Sequence, residues 1–586
     1  MRSPAEANQP EERIATSLVF HSCLYHRMIP IRPLFFSVAC LLLLSPACKK
    51  GNSPTPVTPV TPASFSFNTL KVNGAYNGFT YYNVNTIPVV QFSFSAPIDH
   101  TTTAANFSFS SSSGTVIPFT ASYANSDSTV IIQPSSALQP LNKYVLAVST
   151  SLLSKAGGSL QSAVSVNLTT AIDSSDKFTR IPDSALLDLV ESQTFKYFWD
   201  LGHPTSGMAL ERNTSGDVVT TGGTGFGIMA MLAGIQRNFI SRTQGLSRIN
   251  TIVSFLTDKV TRYHGAFPHW INGATGATVP FSTQDDGGDI VETAYMMQGL
   301  LTARQYFSSS SDSTEINLRS RINNLWSAVE WNWYRRNNQN ILYWNWSPDY
   351  NWTINVPVKG WNEALITYVL AASAPVDSIP KSTYDSGWAG NGSIRNGNTY
   401  FNTVLPLGPT QGGPLFFAHY SFLGINPNGL SDAYANYWTQ NTAHSSINYS
   451  YCIQNPLGYN GYSSLCWGLT ASDEQNGYSA HSPTNDDGVI SPTAAISSLP
   501  YTPTQSMNAL RFFYYTLGDK IWGTYGFVDA FNLTNIWFAS SYLAIDQGPE
   551  IVMIENYRSG LLWNLFMSCP EVKTGMKKLG FQSPNL

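Results

Sequence analysis

Between residues 65 and 172 apolar and polar positions alternate, in "VVQFSFSAPID", "NFSFSSSS", "STVIIQPSSALQPLNKYVLAVS" and "SAVSVNLTT", with Ser, Asn and Pro turns between them. Period two at this spacing predicts the strands of an all-β sandwich. From about Asp183 the apolar positions recur every three or four residues instead, the helical period. The pattern predicts helices over 183–200, 226–241, 244–258, 290–307, 313–334, 360–373, 413–424, 430–454, 491–499, 504–518, 536–546 and 549–568. Long loops rich in Gly, Asn, Trp and Tyr join them. Twelve helices predict an all-α catalytic domain over 183–586, six α-hairpins closed into an (α/α) toroid with a site built by the loops at one end. No repeat period points to a solenoid.

The N-terminal pattern differs again. "MIPIRPLFFSVACLLLLSPACKKG" (Met28–Gly51) has one Arg, an apolar run over 34–44 and a small residue before Cys48. The run is too short to span a bilayer and reads as a signal peptide. Residues 1–47 are therefore expected to be a leader, with Met28 the true start. Ala47-Cys48 resembles a lipobox, although Ser45 and Pro46 replace its usual residues, so lipidation is expected at Cys48. Export and a membrane anchor by lipid alone follow, on the periplasmic face or the outer membrane. The Pro/Thr-rich stretch 48–64 is an extended linker. Only Cys452, Cys466 and Cys569 then remain, too few for a disulfide framework. Cys452 and Cys466 could pair, or all three could be lone thiols.

Charged residues make up 12% of the chain and the net charge is −4, without a basic block, which excludes nucleic acid as a partner. Aromatics reach 13%. Rings with polar tips suit stacking on pyranoses, and equally suit a large aromatic core. A monomer is expected.

The acids are few and oddly placed. "QDDGGDIVETAYMMQGLL" (284–301) sets Asp285, Asp289 and Glu292 at spacings of four and three at the front of an apolar helix. Such acids commonly cap free N–H groups. Calcium is a second reading, but the alternating ligands of a dedicated loop are missing. Glu363 stands at the first turn of the next apolar segment, behind Trp361 and Asn362. Asp473, Glu474, Asp486, Asp487, Asp529, Asp546 and Glu555 fall at further loop–helix junctions, interleaved with rings. Several carboxyl groups converging on one mouth is what glycosyl transfer to water requires: one protonates the leaving oxygen while another activates water or attacks carbon.

"TTGGTGFGIMAML", "QDDGGDIVETAYMMQGLL", "GWNEALITYVLAA", "DGVISPTAAISSLPYTP" and "DQGPEIVMIENYRSGLLW" together resemble the bacterial glucoamylase-like proteins, and within them glycoside hydrolase family 144, the β-1,2-glucanases. The resemblance spans nearly all of 183–586. Residues 65–172 resemble bacterial Ig-like domains, through Leu138, Pro140 and Tyr144, and read as a spacer or docking module. The first resemblance implies endo-cleavage of β-1,2-glucan to sophorose and short oligosaccharides with inversion; an exo-acting sophorohydrolase is the alternative. It places the important acids at Asp285, Asp289, Glu292 and Glu363. Glu363, expected to be partly desolvated beside Trp361, is assigned as general acid, and one of the other three activates water.

Trp270, Trp346, Trp352, Trp361, Asn362, Tyr420, Asp486, Asp487, Glu555 and Arg558 are candidate substrate contacts, Arg558 alternatively pairing with Glu555. The glycines of "GGTGFG" lack a following Lys-Ser/Thr and are expected to form a tight turn near the sugar. His264, His269, His419 and His481 lack metal-ligand spacing, so packing or hydroxyl bonding is expected of them, and neither metal nor cofactor is expected. A glycan-binding protein without activity would not need the acids. A polysaccharide lyase would want a Tyr or His base and cations for a uronate.

Overall fold

A computed structural model describes residues 62–586; the leader, Cys48 and most of the linker lie outside them. Two compact units divide between Thr170 and Ala171.

The first unit has eight strands: β1 (Phe67–Val72), β2 (Thr80–Val84), β3 (Val90–Phe94), β4 (Phe107–Ser111), β5 (Phe119–Ala124), β6 (Thr129–Pro134), β7 (Lys143–Val148) and β8 (Val164–Thr170). They form two four-stranded sheets, ordered β1-β3-β6-β5 and β2-β8-β7-β4. All pairs are antiparallel except β2 with β8. Leu70, Phe92, Phe109, Ile132, Leu146, Val166 and Leu168 fill the core, as the alternation requires. Tyr144 is buried, and its hydroxyl accepts the Gln139 N–H at 2.9 Å. That bond explains the spacing of Leu138, Pro140 and Tyr144: the phenol ties down the approach to its own strand.

The second unit carries helices α1 (Asp183–Asp200), α2 (Thr221–Gln236), α3 (Arg242–Asp258), α4 (Ile290–Tyr306), α5 (Ser313–Ser327), α6 (Leu365–Ser373), α7 (Tyr437–Gln454), α8 (Pro492–Ser497), α9 (Pro503–Arg511), α10 (Ala544–Ser559), α11 (Leu561–Met567) and α12 (Pro570–Leu579). They fall into two kinds. Helices α2, α4, α6 and α10 are buried on nearly every side, whereas α1, α3, α5 and α12 bury one face. Helices apolar all round belong inside a layer of one-sided helices. Accordingly α2 packs between α4 and α10, α4 on α6, and α10 on α8, while α1 lies on α10 and α12 on α6.

Several boundaries differ from the sequence pattern. Residues 413–424 form two short 3₁₀ turns, Leu415–Ala418 and Tyr420–Leu423, and residues 328–334 leave the helix of α5. No helix covers 536–543; Trp537–Phe538 pairs with Phe531–Asn532 as a hairpin. Helix α10 begins at Ala544, earlier than expected, and holds Pro549 inside it. A proline usually marks a helix start, since it has no N–H to give to the preceding turn. The "GGTGFG" stretch is the first turns of α2 and not a loop turn. Cys452, Cys466 and Cys569 are free and buried.

Candidate active site

Asp289 caps α4. Its Oδ1 accepts the N–H groups of Val291 and Glu292, both at 2.9 Å, and its Oδ2 accepts from His269 Nδ1 at 3.0 Å and Trp344 Nε1 at 3.2 Å. The capping reading of this acid is therefore correct, and the ring donors add a second function. A carboxylate held by four donors is fixed in place and in orientation. The strand Gly288–Asp289 pairs with Asn345–Trp346, which holds the acid and the aromatic loop together. Gly287 is needed in this stretch because a Cβ there would lie 2.1 Å from the Trp346 carbonyl oxygen.

Glu292, in the first turn of α4, turns toward α2, and its Oε2 accepts the Gly222 N–H at 2.6 Å. A Cβ on residue 222 would sit 2.6 Å from that same oxygen. The glycine lets the carboxylate reach the positive end of a neighbouring helix. Burial pushes Glu292 up to about 7, with Asp289 and Asp285 adding to the rise while His269 and the Gly222 amide oppose it. Asp285, half-buried in the preceding loop, is raised to about 6 by burial and by Asp289. His269 moves the other way: burial alone would lower it, but Glu292 and the hydrogen-bonded Asp289 lift it to about 9. At neutral pH an imidazolium therefore sits among three acids.

Glu363 lies in the turn just before α6, which starts at Leu365 and not at residue 360. Its backbone carbonyl accepts from Ser421 Oγ and from Tyr295 Oη, the latter at 3.4 Å, so α4 and the Tyr420–Leu423 turn position it. Its carboxyl is raised to about 7, by burial first and then by the charges of Glu292 and Asp289. The structure thus brings Asp285, Asp289, Glu292 and Glu363 into one electrostatic group at the N-terminal ends of α4 and α6. The indole of Trp361, two residues before it, is buried, its Nε1 donating to His444 Nδ1 at 3.3 Å among Phe422 and Tyr437.

Trp361 is thus a core residue, and so is Tyr420, buried against Phe226, Tyr295 and Phe416. Asn362 caps the turn, its Oδ1 accepting the Ala364 N–H at 2.9 Å. Trp270 remains partly exposed beside His269, its ring 4.8 Å from Phe281. Trp346 and Trp352 are also partly exposed and gather around Trp333. These two groups of rings flank the acid-bearing loop.

Glu555 and Arg558 do not belong to the site. Nine residues separate Glu555 from Asp546 on α10, roughly 13 Å along the axis. Glu555 is buried and pairs with Arg237 at 2.6 Å, while Arg558 pairs with Glu191 and, at 2.7 Å, with Asp188. Asp486 is a structural anchor, accepting from Tyr462 Oη at 2.7 Å, Tyr451 Oη at 2.9 Å and the Gly488 N–H at 2.9 Å. Asp487 is exposed.

A second acidic group had only its loop–helix positions to suggest it. Asp529 and Asp546 are both buried, and burial first, then the charge of a neighbouring acid, raises both above the usual carboxylate range. Asp529 Oδ2 accepts the Asp473 N–H at 2.7 Å, and Arg212 reaches both oxygens of Asp473 at 3.1 Å. Since Ala544 would meet a Cβ on Gly223, the first turns of α10 and α2 adjoin, which sets this pair near Glu292.

Comparison with known proteins follows the same division. Residues 355–570 match the family model described as "Putative glucoamylase", and residues 56–170 match the bacterial Ig-like domain. An endo-β-1,2-glucanase from Chitinophaga pinensis, solved with sophorotriose and glucose, is 53% identical; the match covers 70% of this chain and 100% of that one, with a TM-score of 0.68. The chain belongs to the bacterial glucoamylase-like family of glycoside hydrolases. Family relatives agree in kind. A β-1,2-glucanase structure from Parabacteroides distasonis is 38% identical over 88% of this chain and 73% of that one, with a TM-score of 0.67. An exo β-1,2-glucooligosaccharide sophorohydrolase acting at the non-reducing end, from the same organism, is 48% identical over 420 residues. That match covers 68% of this chain, which spans 58% of the length of the relative. The glucoamylase-like domain is helical in this chain, and the Ig-like domain precedes it.

Proposed function

We propose that the protein hydrolyses β-1,2-linked glucan, endo-fashion, to sophorose and short oligosaccharides with inversion at the anomeric carbon. The observation that carries this reading is Glu363, a carboxyl lifted to about 7 beside two further acids. A group that keeps its proton near neutrality can protonate the glycosidic oxygen. Asp285, ionised above about 6 and half-exposed on its loop, takes the proton of the attacking water. Asp289 and His269 hold the charge balance between them. Inversion calls for roughly 6.5–9.5 Å between acid and base, room for one water. The names of the relatives support the linkage. In a β-1,2 chain each glucose keeps its 3-, 4- and 6-hydroxyls free and the chain bends, which suits partly exposed rings such as Trp270 and Trp346. The architecture that goes with this reading is a six-hairpin toroid with α2, α4, α6 and α10 in its inner layer, carried on a lipid-tethered Ig-like spacer.

Exo action releasing sophorose is the second reading, favoured by the sophorohydrolase at 48% identity. One experiment separates the readings: incubation with β-1,2-, β-1,3- and β-1,4-glucans and starch, with EDTA present. A ladder of short β-1,2 products is expected, and sophorose alone from the earliest times would indicate exo action. Preferred cleavage of starch or of a β-1,4 chain would overturn the assigned linkage.

A further inference from the structure

The strands Ala471–Glu474 and Gly477–Ala480 form a hairpin, and His481 follows it directly. His481 is 0% exposed, and neither ring nitrogen has a hydrogen-bond partner. Buried polar side chains are nearly always partnered, and an imidazole orphaned at both nitrogens calls for an explanation. Facing it are the carboxylates of Glu474 and of the exposed Asp487. One ligand atom from each of the three residues lies within 4.8 Å of the others. Among the described residues no Lys or Arg forms a salt bridge with Glu474 or Asp487; the nearby Arg212 is taken by Glu211 and Asp473. Two acids without a counter-ion thus converge on an imidazole without a partner.

We propose that Glu474, His481 and Asp487 form a divalent-cation site of the zinc class, with one nitrogen and two oxygen ligands and remaining positions for water. This donor set suits zinc, which accepts imidazole and carboxylate together. Bonds of about 2.0–2.2 Å at tetrahedral angles place ligand atoms about 3.4 Å apart, so the ligands need to close by at most about 1.4 Å. The exposed Asp487 side chain has the freedom to do this. Sequence spacing conceals the site: the residues are seven and six apart, one on a strand end and two in the loop that follows the hairpin, and match no metal motif.

Bound there, the cation clips the hairpin to the 486–488 loop. Asp473 on that hairpin donates its N–H to Asp529, so the clip also sets the position of the buried Asp529–Asp546 pair. It is a structural tie beside the active site, and glycosidic hydrolysis proceeds through other residues.

The test is calorimetric titration of zinc ions into the EDTA-treated, dialysed full chain, with Tm measured alongside. One zinc per chain and a higher Tm are expected. Glu474→Gln and Asp487→Asn, both solvent-accessible and so compatible with folding, should each weaken binding about 10-fold or more and reduce the Tm gain. Absence of saturable binding, or affinities unchanged in both variants, would overturn the site. Because the readouts are heat and Tm, failure here is distinguishable from failure of the glucanase assignment.

Discussion

Glu292 and Gly222 meet across the first turns of two inner helices, carboxylate oxygen to backbone N–H, at 2.6 Å. The contact makes residue 222 a glycine for reasons of space, because a Cβ would also fall 2.8 Å from the Tyr295 ring. Gly222→Ala should therefore displace Glu292. Overpacking of this kind costs about 1–3 kcal/mol, so turnover is expected to fall by about 10- to 100-fold with a lowered Tm. Wild-type turnover in this variant would show that the contact is dispensable.

Glu363→Gln removes the transferable proton while preserving shape. Acid catalysis contributes about 10²–10⁴-fold, and a kcat loss of that size is expected, with substrate affinity and Tm near wild type. A loss of only a few-fold would return Glu363 to the role of a helix-terminus acid.

The pH dependence of kcat/KM should be a narrow bell. Its acidic limb follows Asp285, which must be ionised, near 6; its alkaline limb follows Glu363, which must be protonated, near 7. The His269 cation lowers the proton affinity of both Asp285 and Glu292. His269→Gln should then move the acidic limb upward, by roughly one unit at about 1.4 kcal/mol per unit. A downward shift would contradict the assigned charge.

Glu550 offers a stability test away from the chemistry. It is fully buried on α10, its Oε2 accepting from Thr194 Oγ1 at 2.8 Å, and burial raises it to about 8. The folded state thus holds a proton that the unfolded chain releases near 4.5, and stability declines as pH rises from there through about 8. Glu550→Gln should leave Tm unchanged near pH 5 and raise it by about 2 °C or more at pH 9. An equal effect at both pH values would remove the titration from the explanation.

Lipidation is tested by labelled palmitate. Incorporation into the wild type and its loss in Cys48→Ala are expected; label retained in the variant would reject Cys48 as the acceptor.

The sequence made some of this legible and hid the rest for physical reasons. Helix α1 matched its pattern at both ends, and α4 was legible because Asp289 is both cap and periodic start. Helix α10 was cut at Pro549, since a proline in the sixth position looks like a beginning. Glu555 and Arg558 shared a motif with Asp546 but sit at the opposite end of the same helix, a distinction that acidic residues beside rings do not reveal. Trp361 has the same composition cue as Trp346 yet faces the core. Packing or hydroxyl bonding is all that the sequence suggests for His269, because its partner Asp289 is twenty residues away. Local periodicity carries helices; pairing across loops carries the site.

The loop between Trp346 and Pro357 is pinned at both bases, by pairing of Asn345–Trp346 with Gly288–Asp289 and of Leu342–Tyr343 with Pro357–Val358. Residues 347–356 can therefore lengthen or shorten without disturbing the Asp289 carboxylate. The ring that this loop carries, Trp352, is in this way mechanically decoupled from the acid. Ten residues can thus be edited while the carboxylate keeps its place.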